Sequence, residues 1–231
     1  NSPSEKLTKG LDGLYDRCVG YHSLGARFAK WRAVITIGKG IPTDDCIRGN
    51  ASALAKYAKA CQDAELVPIV EPEVLMDGDH TIETCYEVSE KTFNTVFEEL
   101  ENEGVYLPGI LLKPNMVISG KDCPVQGDMN TVAERTVKCL KASVPEDVPG
   151  IVFLSGGQSE TEATEHLNAM NAMGVCPWAL SFSYGRALQQ SALRAWGGDN
   201  ANLETTYATF YHRAEMNSKA CNGEYSPELE I

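Results

Sequence analysis

Residues 109–115 read Gly-Ile-Leu-Leu-Lys-Pro-Asn, and Lys113 is the only charge in this otherwise apolar, strand-like run. An ammonium is costly to remove from water, so a lysine placed there snorkels to solvent, finds a carboxylate, or is held as a neutral amine. The neutral amine is the nucleophile that opens a Schiff base with a carbonyl substrate. Snorkelling is the default reading of one isolated lysine, so the rest of the chain has to decide.

Outward from this run the chain alternates two periodicities. Apolar residues at helical spacing predict helices over 11–28, from a Thr43 cap to about 64, and over 82–103, 130–142, 186–196 and 203 to about 220. Another helix follows Ser155-Gly156-Gly157, opened by the capping box Ser159-x-x-Glu162. Between the helices, strands are predicted over 31–38, 66–75, 109–116, 150–154 and 178–184. Strict alternation with mostly continuous apolar strands means a parallel sheet covered by helices. A doubly wound sheet normally carries a Gly-x-Gly-x-x-Gly turn after an early strand, and none is present. The expectation is therefore an α/β fold of the (β/α)8 TIM-barrel type, in which the active residues sit at the C-terminal ends of the strands.

Composition sets bounds. With 231 residues, 43% hydrophobic and 23% charged, and a mean hydropathy of -0.24, the chain reads as one globular domain with a substantial core. A formal net charge of -12 argues against nucleic acid or an anionic membrane surface as main partner. No apolar run reaches membrane-spanning length. The first residues, Asn-Ser-Pro-Ser-Glu-Lys-Leu, carry neither a signal-type apolar segment nor an initiator Met, so the chain reads as starting inside a longer protein. The eight cysteines are scattered, with no Cys-x-x-Cys pair, and read as reduced thiols; Cys61 and Cys139 fall on apolar helical faces. The four histidines are far apart, so spacing offers no metal site.

Chemistry concentrates on the strands. Lys30 and Arg32 are two apart, as are Glu71 and Glu73, so each pair shares a strand face. Carboxylates facing basic residues inside a barrel suit acid/base work, although an ion-pair network that only satisfies itself is the competing reading. Ser155, Gly156 and Gly157 before a capped helix offer backbone N–H groups to an anion, and Gly185-Arg186 brings a cation to the next helix start. Both follow the last two strands, where barrels often hold phosphate.

These residues resemble a known family. Lys-Trp-Arg at 30–32, Val-Pro-Ile-Val-Glu-Pro-Glu at 67–73, Leu-Leu-Lys-Pro-Asn at 111–115, Phe-Leu-Ser-Gly-Gly-Gln-Ser at 153–159 and Ser-Tyr-Gly-Arg-Ala at 183–187 are similar to class I fructose-1,6-bisphosphate aldolase. The resemblance spans nearly the whole chain. It implies a lyase needing no metal or other cofactor, cytoplasmic and usually homotetrameric, that interconverts fructose 1,6-bisphosphate with dihydroxyacetone phosphate and glyceraldehyde 3-phosphate. Carried over by position, Lys113 is the Schiff-base lysine, Glu71 the proton shuttle, Lys30 its cationic neighbour and Glu73 the second carboxylate. Arg32 is implied to contact the distal phosphate. Ser155, Gly156, Gly157, Ser183, Gly185 and Arg186 lie in the motifs for the ketone-side phosphate. Cytoskeletal binding is a further family analogy.

The chain also departs from the family pattern. Five strands are present where closure needs eight, and the missing three correspond to roughly 110 residues at the N-terminal side. The family's first-strand aspartate, third-strand phosphate lysine and C-terminal tyrosine have no counterpart. Residues 1–231 are thus expected to be one incomplete barrel domain, inactive alone. Pro108 stands where the family usually has Glu, at a position read as the start of a strand. Two rival functions are a Schiff-base lyase for a singly phosphorylated sugar and a binding or scaffold protein.

Overall fold

The computed structural model describes residues 5–174 and 176–230; the first four residues of the 1–231 domain reading, Val175 and Ile231 lie outside them. After helix α1 (Leu14–Ser23), the chain runs β1 (Phe28–Ile35), α2 (Asp44–Asp63), β2 (Val67–Val74), α3 (Ile82–Asn102), β3 (Leu111–Leu112), α4 (Met129–Ser143), β4 (Gly150–Phe153), α5 (Glu160–Ala172), β5 (Ala179–Phe182), α6 (Arg186–Trp196) and α7 (Leu203–Cys221). All four strand pairings are parallel, and the strands lie in sequence order, β1-β2-β3-β4-β5. This order has no point where winding reverses, so it is the singly wound pattern of a barrel wall rather than a doubly wound sheet.

One row of side chains shows how the wall is held. Trp31 pairs with Val70, Val70 with Leu112, Leu112 with Ile151 and Ile151 with Leu180. Register-matched residues share a face, and in this row all but the partly buried Trp31 are buried in the main core. Behind it, Trp31 packs on Tyr57 of α2 with ring centroids 5.5 Å apart, and the Tyr57 hydroxyl donates to the Ile69 carbonyl. Cys61 and Cys139 are fully buried in this core, and all eight cysteines are free thiols.

Four predicted boundaries need correction, the first being the strand expected over 31–38, which spans Phe28–Ile35. The first helix ends at Ser23 rather than 28, because Gly25 adopts φ +98° and turns the chain out; Phe28 instead opens β1. The strand predicted over 109–116 shrinks to Leu111–Leu112. On one side, Leu107–Gly109 form a 3-10 turn, with Pro108 inside it rather than at a strand start. On the other, Pro114 has no N–H to continue the ladder. The fifth strand, expected over 178–184, spans only Ala179–Phe182. Among the described residues no helix is long and apolar enough to cross a membrane.

Candidate active site

Lys113 follows β3 directly, and its backbone N–H donates to the Val70 carbonyl at 2.7 Å. Strand alternation then turns its side chain to the face opposite Leu112, away from the helices. Arg32 and Glu71 are register partners across β1 and β2, and Lys30 and Glu73 sit two residues away on the same face. The four charged residues of β1 and β2 and Lys113 therefore meet on the barrel-side surface.

Glu71 is the hub. The Lys113 ammonium lies 3.2 Å from its Oε1, with the Lys113 side chain only 12% exposed. The Lys30 ammonium lies 2.8 Å from Oε2, but off the direction that would make a hydrogen bond. Lys113 is therefore paired inside the protein, and the snorkelling reading fails. The cationic neighbour expected for Lys113 is present, with the buried Glu71 carboxylate set between the two ammoniums. Arg32 donates through Nε to Glu73 Oε2. That hydrogen bond pushes the guanidinium further above its ordinary value, against the opposing effect of burial. Half its side chain remains exposed.

The candidate anion site lies at the ends of β4 and β5. Leu154 N–H donates to the Pro114 carbonyl, and Ser183 N–H donates to the Phe153 carbonyl. These bonds set the loops after β3, β4 and β5 side by side. Ser155 is buried, whereas Gly157, Gly185 and Arg186 are exposed. Gly156 and Gly157 take φ +56° and +89°, a region where a side chain is strained. A Cβ on Gly157 would also stand 2.9 Å from Met76 Sδ. The predicted capping box is formed: Ser159 accepts from Glu162 N–H, and the Glu162 carboxylate accepts from Ser159 N–H. Gly185 is the N-cap of α6, which leaves its first-turn N–H groups facing the same end.

Several supporting contacts carried no signal in the sequence. Asn115 accepts from Val74 N–H at 3.0 Å and donates to Ser89 Oγ, tying the end of β2 to the loop after β3. Gly120 N–H donates to the His80 carbonyl, Lys121 N–H to Met76 and Asp122 N–H to Gly78, while Lys121 pairs with Asp77. This clasp joins the loops after β2 and β3. Its partners come from separate parts of the chain, which spacing alone does not reveal. Among the described residues no cluster of three or more His, Cys, Asp or Glu could hold a metal ion.

Comparison with known proteins shows the family. The family model described as Fructose-bisphosphate aldolase class-I matches residues 1–230. A probable fructose-bisphosphate aldolase class 1 of Xanthomonas campestris pv. campestris is 55% identical over 96% of this chain and 67% of its own length. A fructose-bisphosphate aldolase of Dictyostelium discoideum is 52% identical over 97% of this chain and 63% of its own length. The solved fructose-bisphosphate aldolase of Plasmodium falciparum, in complex with TRAP and a small-molecule inhibitor, superposes with a TM-score of 0.96 at 51% identity, covering 98% of this chain and 67% of that one. The chain thus spans about two thirds of the length of the relatives it matches. It belongs to the class I fructose-bisphosphate aldolase family, the glycolytic lyases of fructose 1,6-bisphosphate.

Proposed function

We propose that Lys113 is the Schiff-base nucleophile of this chain, with Glu71 as its proton shuttle. The observation that carries this is the buried lysine 3.2 Å from a carboxylate that a second lysine also contacts. Lys113 attacks the ketone of fructose 1,6-bisphosphate, and Glu71 exchanges the protons as the carbinolamine loses water. The resulting iminium draws electrons from the bond between the third and fourth carbons as it breaks and the C4 hydroxyl gives its proton to Glu71, which releases glyceraldehyde 3-phosphate and leaves the enamine of dihydroxyacetone phosphate. Lys30 balances the Glu71 charge, and Glu73 orients Arg32 toward the distal phosphate. Ser155, Gly156, Gly157, Ser183, Gly185 and Arg186 take the ketone-side phosphate. Holding both ends of the sugar sets the carbonyl over Lys113 and removes an entropic part of the barrier.

In this reading residues 1–231 form one barrel domain whose first three strand–helix units lie outside the chain. The assembly is a cytoplasmic homotetramer, and cytoskeletal or other protein partners bind its outer surface; the TRAP complex of the Plasmodium relative supports such binding by analogy. Borohydride reduction with dihydroxyacetone phosphate, followed by peptide mapping, tests the central claim. Label on Lys113 is expected, and label elsewhere or none would overturn it.

A further inference from the structure

The 155–158 turn contains two adjacent glycines with positive φ. Glycine has the widest conformational choice of any residue, so neighbours must hold the turn if its N–H groups are to keep one direction. Gln158 closes it twice on one atom: its backbone N–H and its side-chain Nε2 each donate to the Ser155 carbonyl at 2.9 Å. The side-chain contact works only with the amide in one orientation. Because Nε2 faces the carbonyl, Oε1 faces the other way, where His166 Nδ1 stands 2.5 Å off. An amide oxygen only accepts, so Nδ1 carries the hydrogen. A cavity of about 300 Å³ flanks the pair, lined by Met76, Ser119, Gln126 and Met129 among others. Without His166, the amide has room to swing into this space and release Ser155.

We propose that His166, acting through Gln158, is a positioning residue that fixes the Ser155-Gly156-Gly157 backbone for the ketone-side phosphate. This rests on reading that turn as a phosphate site. His166 lies on α5, behind the turn, and acts on the substrate only through Gln158. An asparagine at 166 places an amide nitrogen where Nδ1 stands, so His166→Asn keeps the donor and His166→Ala removes it. Gln158→Leu removes the other half of the link.

The test uses the full-length protein and its three variants, each checked by thermal melting. Borohydride trapping on Lys113 is titrated with dihydroxyacetone phosphate and, separately, with phosphate-free dihydroxyacetone. Losing one hydrogen bond predicts that His166→Ala and Gln158→Leu raise the half-saturating dihydroxyacetone phosphate concentration about three- to tenfold. His166→Asn should stay near wild type, and trapping of dihydroxyacetone should not change. KM for the bisphosphate should rise more than kcat falls. Wild-type affinity in both disruptive variants would overturn the proposal. So would equal losses with both ketones, or a failure of His166→Asn to rescue. If His166→Ala does not fold, Gln158→Leu and His166→Asn decide by the same criteria. Absence of wild-type trapping on Lys113 would instead overturn the Schiff-base reading on which the proposal stands.

Discussion

At the scale of single residues, the site depends on a carboxylate shared by two lysines. Lys113→Met leaves no amine to form the imine, so fructose 1,6-bisphosphate cleavage in the full-length protein should fall by at least about a thousandfold, and borohydride should trap nothing at that position. Glu71→Gln keeps the shape and removes the proton carrier; kcat should drop by about 10²–10⁴-fold, measured by coupled assay. Replacing Glu71 by alanine should do more. It leaves Lys113 buried without its partner, a kind of change that costs about 3–5 kcal/mol when both groups are buried, so the melting temperature should fall as well. Arg32 separates the bisphosphate from the singly phosphorylated reading. Its exposed guanidinium is held by Glu73, so Arg32→Ala should raise KM for fructose 1,6-bisphosphate about ten- to a hundredfold, the range of one charged hydrogen bond. Fructose 1-phosphate kinetics should barely move. Equal losses on both sugars would remove Arg32 from the distal phosphate.

Elements place those residues, and their ends matter more than their lengths. β3 has only two residues, yet it sets Lys113 by one further bond to Val70 before Pro114 ends the ladder. The next loop is fixed by the clasp at Gly120, where a Cβ would meet the Gly78 carbonyl oxygen at 2.4 Å, backbone against backbone. Gly120→Ala should therefore destabilise the protein by about 1–3 kcal/mol, read in a denaturant melt. At the start of α5, the Ser159 backbone N–H, then its hydroxyl, hold the Glu162 carboxyl below its ordinary value of 4.5. A carboxyl lowered by folding contributes stability that is complete above its unfolded value and is lost as pH falls through the folded one. Stability should thus decline below about pH 4.5, and Glu162→Ala should flatten that part of the curve. Capping was legible beforehand, because Ser159 and Glu162 lie three apart in one segment. The clasp was not, because Gly120 and Gly78 meet only through folding.

For the molecule as a whole, five ordered parallel strands leave the outer edges of β1 and β5 unpaired among the described residues. Large apolar side chains are uncovered near both edges: Leu24 and Phe28 before and in β1, Leu193 on α6 and Tyr207 and Tyr211 on α7. Further strand–helix units would cover them, in keeping with relatives half as long again. The 231 residues expressed alone should therefore show no measurable cleavage in a coupled aldolase assay, while the same residues within a family-length chain should. Full turnover with a two-state melt from the isolated chain would refute this.

The sequence by itself determined the alternation of helix and strand, the parallel sheet, and the residue types of the site, because hydrophobic period, capping chemistry and lone charges in apolar runs are local properties. Through motif resemblance it also pointed to Lys113, Glu71 and the glycine turn as candidate site residues. Only the tertiary structure decided that one buried carboxylate contacts both lysines, that Arg32 is held by Glu73, and that the Gln158 side chain closes the glycine turn. Those contacts join residues up to 42 positions apart, from Glu71 to Lys113. Their geometry comes from strand register and loop packing, which appear only when separate segments bury their apolar faces against one another.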